Sequence, residues 1–222
     1  MANPQQEAVK ELSRDVQKLK EEKNNLTIEQ KAGEADKIFT KLEDKSQGED
    51  KVIVSVLKEE SNKFLTKTVE YNKFLDKVSE PGFFNLNSAQ DPANLDQQII
   101  TAKEYVNRSK VMHEYSVDLP EKIRASLKAK NIDEEKINST LKGMKQSEAQ
   151  AAKPASKIFS TRIEHATVLL KGLQYLKDWK GKWHFDAGEG IIKFNNSQEL
   201  TIWNEEILVP LDKTEKYLSS QI

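Results

Sequence analysis

Residues 51–79 read KVIVSVLKEESNKFLTKTVEYNKFLDKVS, and the placing of their apolar side chains decides the fold class. Val52, Val56, Leu57, Phe64, Leu65, Tyr71, Phe74, Leu75 and Val78 include several pairs three or four residues apart. That spacing gathers side chains on one face of a helix, where a strand would alternate them. The stripe is broad, so it faces a core. At ~1.5 Å per residue the helix runs roughly 40 Å and sets the long dimension of an elongated antiparallel helical bundle. Glu80-Pro81-Gly82 stops it, and Phe83 and Phe84 fold into the next loop as a plug for the bundle end.

Composition agrees with an all-α class. Only eight glycines and six prolines occur in 222 residues, while Lys, Glu, Leu, Ala and Gln are abundant. Those side chains lose little rotamer freedom in a helix. Charged residues make up 32% and apolar ones 36%, which favours an elongated bundle with much surface over a sphere. With 35 basic and 36 acidic residues the formal net charge is -1, so the chain offers no electrostatic footprint for nucleic acid. Cysteine is absent, which removes thiol nucleophiles, disulfides and cysteine metal sites. No apolar run approaches the ~18 residues of a transmembrane segment.

Upstream, Val9, Leu12, Val16, Leu19 and Leu26 recur three, four, three and seven residues apart. This narrow stripe fits a coiled coil and makes residues 1–26 a helical arm. Residues 27–222 form the bundle. Thr27 and Gln30 have capping-box spacing, so either a second helix starts there or the first runs through. Ile38, Phe39 and Leu42 give a short apolar face before residues 46–50, where Gly48 is the expected left-handed stop.

Downstream, Asp91-Pro92 reads as an N-cap followed by proline at the first helical position. The helix carries Leu95, Ile99, Ile100, Tyr105, Val106, Val111 and Met112 as its apolar face and runs to about Tyr115. Val117-Asp118-Leu119-Pro120 is expected to break the chain and start a short helix bearing Ile123 and Leu127. Asn131-Ile132-Asp133 makes the next boundary. Ile137, Leu141 and Met144 follow, then a solvated turn or poorly buried helix over 146–153, with Pro154 as a kink. A second core helix carries Phe159, Ile163, Ala166, Leu169, Leu170, Leu173, Leu176 and Trp179, ending at Gly181. Residues 182–195 alternate polar with aromatic around Ala-Gly-Glu-Gly and predict a small β-hairpin. Asn196-Ser197 caps a last helix with Leu200, Trp203, Ile207, Leu208, Leu211 and Leu218, kinked at Pro210.

No catalytic constellation emerges. His113, His165 and His184 lie in different elements with no ligand partner at metal spacing, so neither metal nor cofactor is expected. Gly188-Glu189-Gly190 lacks the strand and helix of a phosphate loop and reads as a turn. The densest feature is aromatic: Trp179, Trp183, Phe185, Phe194 and Trp203, with every tryptophan of the chain between residues 179 and 203. Core packing of the hairpin is the ordinary reading. The functional one is a groove for a partner or an apolar ligand, since large aromatics are enriched in binding hot spots.

The C-terminal order Trp183-His-Phe185, Gly190-Ile-Ile-Lys-Phe194, Trp203-Asn204 and Ile207-Leu-Val-Pro-Leu211 resembles that of uncharacterised bacterial helical-bundle lipoproteins. The likeness covers about 40 residues. It implies an envelope-facing bundle, periplasmic or envelope-associated, tethered through an N-terminal cysteine. This sequence contains no such cysteine, so a tether requires a lipidated N-terminus that has been removed, and a cytoplasmic setting stays open. These features predict a non-catalytic protein that interacts with a protein partner or self-associates through its N-terminal helix. The alternative is a carrier of an apolar small molecule or lipid in a pocket lined by Trp183, Phe185 and Trp203.

Overall fold

The computed structural model describes residues 27–79, 84–149 and 155–220. The expected arm at 1–26, Phe83 and the expected kink at Pro154 lie outside them. The fold is all-α with a small antiparallel hairpin, in the order α1 (Ile28–Lys45), α2 (Gly48–Val78), α3 (Pro92–Ala129), α4 (Glu134–Ala149), α5 (Ala155–Asp178), β1 (Trp183–Asp186), β2 (Ile191–Phe194), α6 (Ser197–Trp203) and α7 (Val209–Ser219). A π-helical segment, Asn204–Leu208, joins α6 to α7.

Local chemistry accounts for most of the boundaries. Thr27 is extended and starts α1 afresh: its hydroxyl accepts from the Gln30 N–H at 3.2 Å, and the Gln30 side chain accepts from the Thr27 N–H at 2.8 Å. Gly48 adopts φ +56°, but it opens α2, while Ser46 closes α1 by donating its hydroxyl to the Leu42 carbonyl at 2.7 Å. At the start of α3 the Asp91 carboxylate accepts from the Ala93 N–H at 2.8 Å.

The expected break at residues 117–120 does not occur. Helix α3 runs through Pro120 to Ala129. A proline inside a helix costs about 3 kcal/mol. Here the residues on either side offset it: Tyr105 and Met112 are buried before it, and Ile123 and Leu127 after it. Burial also corrects the apolar face of α3, where Ile100 and Val111 are exposed while Leu95 and Ile99 are buried.

Helix α3 ends in a Schellman motif. Asn131 is left-handed at φ 58°, its N–H donates to the Lys128 carbonyl at 2.9 Å, and the Ile132 N–H donates to the Leu127 carbonyl at 3.2 Å. Leu127 and Ile132 belong to the same apolar cluster, which is the hydrophobic contact that accompanies this motif.

The chain divides into two compact units. Among the described residues, unit 1 comprises 27–70 and 115–149, and unit 2 comprises 71–79, 84–114 and 155–220, so α2 and α3 each contribute to both. The core of unit 1 gathers Val56, Ile123, Leu127, Ile132, Ile137 and Leu141. That of unit 2 gathers Ala89, Leu95, Ile99, Ala102, Leu173, Leu176, Ile192, Trp203 and Ile207. Phe84, expected as an end plug, packs against this second cluster. Among the described residues no helix is long and apolar enough to cross a membrane.

Candidate functional site

The hairpin pairs Trp183 with Phe194 and Phe185 with Ile192. Residues directly opposite in an antiparallel pair, and those two apart along a strand, share a face. All four therefore lie on the side that packs against the core of unit 2. Asp186 holds the turn: its carboxylate accepts from the Gly188 and Glu189 N–H groups at 2.9 and 3.1 Å and from the Lys193 ammonium at 2.6 Å. The Lys193 bond and these N–H donors keep the Asp186 carboxyl below its usual range. Gly190 at φ +71° completes the turn, so the Gly-Glu-Gly run serves hairpin geometry.

Three of the five aromatic candidates gather around Tyr175, which the sequence reading had not singled out. Its ring centroid lies 5.9 Å from Trp179, 5.9 Å from Phe194 and 6.3 Å from Trp203, and Phe194 and Trp203 are 5.9 Å apart. Trp203 is 5% exposed and faces inward. It packs on α5 where residue 172 is glycine: a Cβ there would stand 2.7 Å from the Ile207 Cγ2 and 3.5 Å from the Trp203 ring. Glu199, also buried, caps α6 with Asn196, and the Tyr175 hydroxyl donates to its carbonyl at 3.3 Å.

Trp183 and Phe185 have a different setting. The Trp183 ring N–H donates to the Leu176 carbonyl at 2.7 Å, and the Phe185 N–H donates to Gln90 Oε1 at 3.2 Å across 95 residues of chain. The first bond ties the hairpin to the end of α5 and the second to the residues just before α3. Between them lies a cleft of about 510 Å³ lined by Ala89, Gln90, Pro92, Leu95, Asp96, Lys177, Lys180, Gly181 and Trp183. Its volume falls in the ~300–1,000 Å³ range of small-molecule sites. Trp183, Leu95, Pro92 and Ala89 give it apolar walls. Lys177 and Asp96 pair across it at 2.8 Å, and both side chains are more than half exposed. Such an arrangement suits an apolar body with a polar end.

Unit 2 also buries a polar group that no sequence spacing marked. The Tyr71 and Ser109 hydroxyls lie 2.7 Å apart, and the Arg162 charge acts on the Tyr105 hydroxyl, opposing the upward push of burial. His165 Nδ1 is 3.0 Å from Thr214 Oγ1. The Thr214 hydroxyl also approaches the Pro210 and Leu211 carbonyls at 3.0 and 2.9 Å. Burial pushes both tyrosine hydroxyls up and is the leading cause of a lowered His165 pKa, with Glu215 opposing and Arg162 assisting.

A depressed histidine pKa means the folded state favours the neutral ring. Its contribution is complete above the unfolded value of about 6.5 and is lost as pH falls below it. Urea unfolding followed by circular dichroism is expected to give lower stability at pH 5 than at pH 7.5, with His165→Gln flattening that slope. An equal slope in the variant would assign it to other groups.

Among the described residues no group of three or more His, Cys, Asp or Glu is arranged to hold a metal ion. No protein-family model, curated protein or solved structure matches the chain.

Proposed function

We propose that the chain is a non-catalytic helical-bundle protein that acts by binding, and that unit 2 receives a small apolar molecule or lipid in the cleft beside Trp183. The cleft is the observation that supports this reading. Its volume suits a small ligand, and its walls combine an indole with Leu95 and Pro92. Compared with the sequence expectation, the walls change in part: Trp183 lines the cleft, while Trp203 packs in the core. The envelope setting belongs to the same proposal and rests on the C-terminal resemblance.

A second reading is interaction with a protein partner or self-association through the N-terminal helix. Leu208 and Val209, at the junction of the π segment and α7, are 43% and 63% exposed, which favours it. So does the apolar stripe of Val9, Leu12, Val16, Leu19 and Leu26.

One preparation separates the two. Protein purified from its host and extracted with organic solvent is expected to release a lipid-like molecule in stoichiometric amount, as read by mass spectrometry. Empty protein whose mass by light scattering drops when residues 1–26 are deleted would reject the carrier reading and favour the second.

A further inference from the structure

Resting on the cleft reading above, we infer that the ligand class is an anionic amphiphile, its chain against Trp183 and Leu95 and its head group at Lys180. Charge complementarity carries the assignment. The cleft is lined by two ammonium groups, Lys177 and Lys180, and by one carboxylate, Asp96. That carboxylate is already paired with Lys177 at 2.8 Å, whereas Lys180 forms no ion pair among the described residues. A cationic head group would meet an Asp96 that is already neutralised and a repelling Lys180.

The other polar groups of the lining are committed. Gln90 accepts from the Phe185 N–H with its oxygen and donates its amide to the Asn87 carbonyl and Asn87 Oδ1 at 3.3 and 3.0 Å. The Trp183 ring N–H is spent on the Leu176 carbonyl. The indole therefore offers the cleft an apolar surface, and the free ammonium supplies the polar contact. Ala89 and Leu95 are buried in the core cluster, so this wall is anchored in the body of unit 2.

The test titrates the full chain with decanoate and with decanol, both below micelle-forming concentration, by tryptophan fluorescence and calorimetry. Decanoate is expected to bind saturably and more tightly than decanol, with an affinity that falls as salt is raised. Lys180→Glu is expected to weaken decanoate about three- to tenfold and to leave decanol unchanged. Lys216→Glu, on α7, should alter neither. Trp183→Phe should abolish the fluorescence change while calorimetry still records binding. Equal binding of acid and alcohol, insensitive to Lys180→Glu, overturns the head-group assignment and leaves the cleft reading standing. A fluorescence change that survives Trp183→Phe puts the ligand elsewhere and overturns the proposal. No saturable binding of either probe overturns the cleft reading as well.

Discussion

Trp203→Ala is expected to destabilise unit 2 by about 3–5 kcal/mol, the range for removing a buried tryptophan. The indole is 5% exposed and touches the rings of Phe194 and Tyr175, so its loss strips the hairpin and α5 of a common neighbour. The site has little means to collapse. Gly172 has no side chain to swing into the space, and Ile207 is already closer to that backbone than a Cβ would allow. Urea unfolding by circular dichroism gives the magnitude. Hydrogen exchange should show the amides of β1, β2 and the C-terminal half of α5 losing protection first. A loss below about 1 kcal/mol would mean that the ring is not an integral part of this core.

Leu127→Ala is expected to cost unit 1 about 2–5 kcal/mol. The side chain is 0% exposed among Val56, Ile123, Ile132, Ile137 and Leu141. It is also the apolar partner of Ile132 in the Schellman turn, so cavity and cap are weakened together. Amides from Ile132 to Leu141 should lose protection most, and Leu127→Met, which keeps the volume, should cost less than about 1.5 kcal/mol. Similar losses for Ala and Met would show that the cost comes from the side chain's shape, not from an unfilled cavity.

Much of the secondary structure was legible because its signals are local. The capping box at Thr27 and Gln30, the Asp91-Pro92 start, the boundary at residues 131–133 and the hairpin around residues 187–190 each depend on groups within a few residues of one another. Pro120 shows the limit of such rules. Val-Asp-Leu-Pro reads as a boundary, but the burial of Met112 and Ile123 on either side carries the helix through it. The apolar positions of α3 follow the helical period: Leu95, Ile99, Ala102, Tyr105 and Met112 recur on one face and are buried, while Ile100 and Val111 fall off that face and are exposed.

The aromatic end was visible as a composition, and its division was not. Five aromatic candidates were evident between residues 179 and 203. Which of them turn inward depends on Tyr175 and Gly172 of α5, and which line a cleft depends on Gln90 and Leu95, far away along the chain. The polar group of Tyr71, Ser109, Arg162, His165 and Thr214 was not legible as a group. Its members come from four separate stretches, and each alone is an ordinary helical residue.

The sequence by itself determined that this protein is helical, where most helices start and stop, and that a small aromatic hairpin follows the second core helix, because hydrogen bonds and apolar periodicity act over three or four residues. Only the tertiary structure decided that α3 is continuous, that Trp203 is core while Trp183 borders a cleft, and that His165 is held by Thr214. Those outcomes depend on burial between segments far apart in the chain, and burial is a property of the packed whole.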